Sequence, residues 1–250
     1  MKQSLARIRA LARRSMKELL RDPLSLVFLV GMPLAMEVLF YFLFHKLTDQ
    51  FQMRYLAPGI VVFSQAFLSL FAGLLIATDR NSAFLTRLYV SSARSYEFIF
   101  GYALPLFPLA LTQSILFFLV GGALDPSLFS VSMIWATLLS LVPSIFFIGC
   151  GILLGSLCNE KSIGGVASII IAGQSLLSGM WFPTEGLGGG MLAVMNALPF
   201  RNATLLIQNT INGIANFSTD FVKPLLIVLA YTVAIFLAAI LTFGSKMRAK

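Results

Sequence analysis

Residues 77–98 read ATDRNSAFLTRLYVSSARSYEF, a mixed and partly charged stretch set between the apolar run LAPGIVVFSQAFLSLFAGLLI (56–76) and another that begins at Phe98. Each flanking run is about the 20 residues a helix needs to cross roughly 30 Å of hydrocarbon. The rest of the chain repeats the pattern. Of its 250 residues 58% are hydrophobic and 11% charged, and the mean hydropathy is +0.89. Soluble domains carry about 25% charged residues, so this composition excludes a soluble globular domain.

Length and punctuation place six spans: Leu24–Phe44, Leu56–Ala77, Phe98–Leu119, Val131–Leu157, Ile163–Phe182 and Val222–Phe243. The expected fold is therefore all-α: a polytopic membrane protein with six transmembrane helices filling 24–243, preceded by an interfacial segment at 1–23 and followed by a short tail at 244–250. An even number of spans puts both termini on one side. Lys and Arg are retained in the cytoplasm, which says which side. Residues 1–23, 79–97, 158–162 and 244–250 together hold 14 of the 18 Lys and Arg, leaving Lys46, Arg54, Arg201 and Lys223 for the other face. The termini and the quoted segment are thus expected in the cytoplasm, with the protein in the cell (inner or plasma) membrane. The net charge of +8 is a topology signal and an attraction to anionic lipid headgroups, and calls for no nucleic-acid partner.

The N-terminal SLARIRALARRSMKELLRDP (4–23) is too basic and too long for a secretory leader, and no small-residue cleavage site follows the first apolar run. At 100° per residue Leu5, Ile8, Leu11, Ala12, Met16 and Leu19 gather on one face, with Arg7, Arg13, Arg14 and Lys17 among the cations opposite. Such a helix lies on the cytoplasmic leaflet and stops at Asp22-Pro23; the alternative is a merely solvated basic helix. Towards the other end, SLLSGMWFPTEGLGGGMLAVMNALPF (175–200) and the residues up to 221 are apolar but too short in each piece to span. A re-entrant hairpin dipping into the outer leaflet over 183–221 fits, with Pro183 and Gly186–Gly190 at the turn and Pro199 closing its first arm; the alternative is an ordinary amphipathic outer loop.

These motifs resemble the membrane subunits of type-2 ABC exporters. SGMWFP followed by a hairpin and LPFRNATLLIQ is similar to that family's signature region, through Ser178, Gly179, Phe182, Pro183, Pro199, Phe200 and Gln208. The segment RNSAFLTRLYVSSARSYEFIFGYAL (80–104) looks like the family's loop after the second span. The resemblance implies a coupling segment over 79–97, seated on a separate ATP-hydrolysing subunit, with Asp79, Phe84, Leu85, Arg87, Leu88, Tyr89, Arg94 and Glu97 as its residues. Spacing agrees, since Phe84, Leu85, Leu88 and Tyr89 share one helical face; the alternative is a ridge resting on headgroups. The resemblance further implies a homodimer, or a heterodimer with a paralogous permease, and ATP with magnesium bound by the partner.

No phosphate-binding loop and no His/Cys ligand set occurs, so the chain is expected to bind no cofactor and to catalyse nothing itself. Cys150 and Cys158 read as free thiols. Glu37, in GMPLAMEVLFYF (31–42), is an acidic group within a span and has to face protein or water, with Gln65, Gln113 or Gln174 as candidate partners. The expected cargo is an amphiphilic drug, antibiotic or peptide. A lipid-linked polysaccharide is the alternative within the family, and an ion-driven secondary transporter using Glu37 is the alternative outside it.

Overall fold

The computed structural model describes residues 2–81, 95–213 and 218–248, and all the regular structure among them is helical. Eleven α-helices follow in chain order: α1 (Lys2–Leu20), α2 (Pro23–Phe44), α3 (Met53–Asn81), α4 (Ser95–Ala103), α5 (Leu106–Leu124), α6 (Val131–Leu139), α7 (Leu141–Leu157), α8 (Glu160–Leu177), α9 (Gly189–Ala197), α10 (Pro199–Ile211) and α11 (Thr219–Arg248). Five stretches are long and apolar enough to cross a membrane: Leu26–Phe44, Met53–Arg80, Ser95–Leu124, Val131–Leu157 and Thr219–Ser245. The fifth expected span, 163–182, corresponds to α8. At 18 residues it is about 27 Å long, but it opens on Glu160-Lys161 and carries Gln174, which lowers its apolar character.

Two spans are built from two helices each. The third is interrupted at Leu104-Pro105, because a proline removes a backbone donor, and the fourth at Ser140, whose hydroxyl turns back to the Thr137 carbonyl. The hairpin is present as α9 and α10, which meet at an angle of 79° across Leu198. Pro199 opens α10, where its missing N–H costs nothing.

The bundle is organised around α3. Of its apolar stretch 83% is buried, against 17% for α2 and for α11, which therefore lie at the periphery. α3 packs on α7 at the closest range side chains permit. A Cβ added to Gly151 would stand 2.3 Å from the Ser69 carbonyl oxygen, and one on Gly155 would stand 2.7 Å from that of Gly73. The small-xxx-small pair of α7 thus serves packing within the protomer.

The two ends of the bundle differ. α1 lies on α4, and Gly244 near the end of α11 sits beside Ser95 at the start of α4, so the two termini share one end. At the opposite end the α2–α3 connection meets the segment before α9: the Gln50 amide donates to the Gly179 and Met180 carbonyls at 2.7 and 3.2 Å.

Candidate coupling site

At the terminal end, α1 is fastened to the last turn of α3 and to the first half of α4, the two helices that bracket residues 82–94. Its buried face is Ala12, Ser15 and Leu19, with Ile8 and Leu11 half-buried beside them. Leu11 fits because α4 offers Gly101 there: a Cβ at 101 would come within 2.5 Å of the leucine's Cδ2. The apolar face read from the sequence is therefore spent largely on protein. Leu5 is the exception, being 70% exposed.

Polar contacts fix the register of this packing. Arg14 grips Asp79 with both terminal nitrogens, Nη1 donating to Oδ2 at 2.7 Å and Nη2 to Oδ1, and the Tyr102 hydroxyl donates to Oδ2 at 2.6 Å. Asp79 is only 1% exposed, so its charge requires these donors. Bidentate guanidinium geometry is the strongest way to supply them. A second pair joins Arg7 to Glu97 at 3.4 Å, Glu97 being 5% exposed, and the hydroxyls of Ser4 and Tyr96 lie 3.2 Å apart. The bond to Asp79 raises the Arg14 pKa further above its already high ordinary value. Glu18, 3.3 Å from Arg14, goes the other way for a carboxylate: burial first, and then the Asp79 charge, push its pKa up, outweighing the arginine's attraction.

A third anchor ties the same turn of α3 to the α7–α8 junction. Arg80 donates to the carbonyls of Ser156, at 2.9 Å, and Cys158, and to the Asn159 side chain at 3.0 Å. It thereby caps the open carbonyls at the C-terminus of α7, where a cation is also favoured by the helix dipole. Asn159 and Ser162 form a reciprocal cap that starts α8. Consecutive residues Asp79 and Arg80 thus lock the end of α3 in two directions, to α1 and to α7–α8.

Of the coupling residues expected from sequence, Asp79 and Glu97 are brought together with Arg7 and Arg14 of α1, as the two fixed ends of the segment. Phe84, Leu85, Arg87, Leu88, Tyr89 and Arg94 lie outside the described residues. Arg13 and Lys17 stand exposed on the outer side of α1. Tyr102 and Arg80 join the site through contacts that periodicity and spacing do not indicate. The signal was present for the first: a carboxylate at the end of an apolar run needs donors, and a tyrosine in the next run is one.

The signature residues form a separate structural knot at the hairpin end. Gly179 adopts φ +72°, a left-handed turn that a side chain resists, and the Ser178 hydroxyl accepts from the Met180 N–H at 3.2 Å. Phe182 and Pro183 follow, half-buried and exposed. The Trp181 ring packs edge-on against Phe40 at 4.8 Å and Phe63 at 6.1 Å and donates to Ser175 at 2.8 Å. Arg201 bridges Asn196 and Thr184, so one guanidinium spans the hairpin bend and the turn before α9. Phe200 packs on Phe146, and Gln208 donates to the Tyr55 carbonyl at 3.0 Å.

Glu37 is fully buried between α2 and α5, and neither carboxylate oxygen has a hydrogen-bond partner among the described residues. The amide nitrogens of its expected partners turn elsewhere, Gln65 donating to Ser114, Gln113 to the Leu29 carbonyl and Gln174 to Thr204, while their Oε1 atoms also lack hydrogen-bond partners among the described residues. Gly121 lies against it, where an added Cβ would be 3.0 Å from Oε1. No cluster of metal-ligating side chains occurs among the described residues, and Cys150 and Cys158 are free thiols.

A helical bundle with several apolar helices long enough to cross a membrane and a bent helix pair defines a multi-pass membrane protein. The family model described as ABC-2 type transporter matches residues 6–211, and the chain belongs to that family. Members are membrane components of transporters and are not themselves catalytic. No curated protein matches the chain.

Proposed function

We propose that this chain is the permease of an ATP-driven exporter, with its termini and the α1 clamp in the cytoplasm. Residues 82–94 would dock on a separate ABC ATPase subunit that binds ATP and magnesium, and two permeases, identical or paralogous, would enclose the path. The observation that carries this reading is the pair of charge clamps Arg14–Asp79 and Arg7–Glu97. They join α1 to both ends of the segment, so that a push on 82–94 moves α1, α3 and α4 as one body. Arg80 then passes the displacement to α7 and α8. That is a rigid-body route from a docked ATPase to the helices that pack on α3. The cargo class favoured is an amphiphilic drug, antibiotic or peptide, suited to a path among aromatic side chains.

Co-purification tests the docking. Phe84→Asp or Leu88→Asp places a charge at the centre of the proposed apolar contact and should cost several kcal/mol of association, about a hundredfold or more, with the permease still inserted. A Phe84→Asp permease that retains its ATPase would remove the docking role from this segment.

One observation favours a second reading: the unpartnered Glu37 carboxyl suits an ion-driven transporter in which that group takes up a proton or cation. Glu37→Gln separates the two. Under the ATP-driven reading the variant folds and exports; export that is lost, together with its dependence on a pH gradient, supports the second.

A further inference from the structure

A groove of about 750 Å³ runs along the side of α1 and is lined by Ala10, Arg13, Arg14, Lys17, Glu18 and Arg21. We propose that it binds the phosphate of an anionic lipid headgroup, which rests on the reading that places α1 at the cytoplasmic membrane surface. Four cations face one carboxylate there. Arg14 is committed to Asp79 and Glu18, while Arg13, Lys17 and Arg21 form no ion pair with any described residue. Glu18, the one carboxylate on this wall, is held by Arg14 at 3.3 Å.

Two further observations point to a lipid. Leu20 is 63% exposed and lies beside Lys17 and Arg13, three and seven residues back on the same strip of helix, which gives an acyl chain an apolar surface next to the cations. Arg21 is followed after one residue by α2, whose apolar stretch begins at Leu26, so the groove ends within about 10 Å of the hydrocarbon boundary. An acidic protein surface would match the charges and leave Leu20 bare. The phosphate chemistry is shared with soluble phosphate, which the test separates.

The permease is purified without any ATPase, so the result is independent of the proposed docking. Native mass spectrometry measures retention of dioleoylphosphatidylglycerol, dioleoylphosphatidylcholine and inorganic phosphate, each added alone. Phosphatidylglycerol should be retained over the other two. Each removed cation should weaken its apparent affinity about fivefold, so that Arg13→Gln loses about fivefold and R13Q/K17Q/R21Q about a hundredfold. The three side chains make no ion pair with any described residue, and the single variant stands if the triple one does not fold. Retention of phosphatidylglycerol by Arg13→Gln equal to wild type overturns the proposal. So does inorganic phosphate held as tightly as the lipid, which marks a soluble-anion site. Unchanged lipid retention in the triple variant overturns it equally.

Discussion

At the scale of single residues the central object is Asp79. A carboxylate 1% exposed at the end of a membrane-length helix is tolerated because Arg14 and Tyr102 supply donors to both oxygens. Asp79→Ala should therefore release α1 and lower stability by about 2 kcal/mol, the range for a hydrogen bond to a charged group whose partner is half-exposed. The thermal unfolding midpoint of the detergent-purified protein measures this, and faster proteolysis within α1 should accompany it. Asp79→Asn keeps the Tyr102 bond and should lose less. Glu18 supplies a prediction of opposite sign. Its pKa is raised in the folded protein, so its favourable contribution belongs to the protonated form, is complete below the ordinary carboxylate range and fades as pH rises through the raised value. Glu18→Gln should accordingly raise the unfolding midpoint at neutral pH and leave it unchanged near pH 4. A lower midpoint at neutral pH would mean the Arg14–Glu18 pair outweighs burial.

Among the elements, α3 and α7 show most clearly how sequence becomes packing. Their backbones approach until Gly151 has no room for a methyl group against the Ser69 carbonyl, an atom that cannot swing aside. Gly151→Ala should force the helices apart and lower the unfolding midpoint, with Gly164→Ala in α8, which meets nothing within 4 Å, as a control that does not lower it. The helices themselves were legible in the sequence because a bilayer imposes run length directly: Val131–Leu157 coincides with its expected span, and α2 differs by one residue. The interruptions were less legible. Ser140 breaks the fourth span through a side-chain bond to its own backbone, and Pro199 begins the second hairpin arm where the sequence had it closing the first. A proline marks a boundary without saying which side of it the helix takes. The candidate site was legible only in halves. The basic face of α1 and the charged ends of 79–97 could each be read, but their pairing joins residues 65 and 90 positions apart. One sequence without a fold cannot match donors to acceptors at that range: periodicity puts Arg14 on the polar face of α1 without showing that it faces Asp79. For the same reason the sequence does not show that the amide nitrogens of Gln65, Gln113 and Gln174 bond to groups other than Glu37.

For the whole molecule, the fold joins two differently built ends through α3. One end holds α1 and the termini under charge clamps; the other holds the hairpin, fixed by Gly179, Arg201 and the aromatic contacts of Trp181. Peripheral α2 and α11 leave most of their apolar surface uncovered by the described residues. The central claim is that an ATPase docks on 82–94 and drives α1, α3 and α4 together. The most direct measurement places a photo-reactive phenylalanine analogue at Phe84 in cells of the source organism and identifies the cross-linked species by mass spectrometry. The account predicts a single protein carrying an ATP-binding phosphate loop, cross-linked at Phe84 but not from a control at Leu192 in α9, and cross-linked far less when Asp79→Ala and Glu97→Ala release the clamps. Cross-links from Phe84 to lipid alone, with no ATPase recovered, would contradict it.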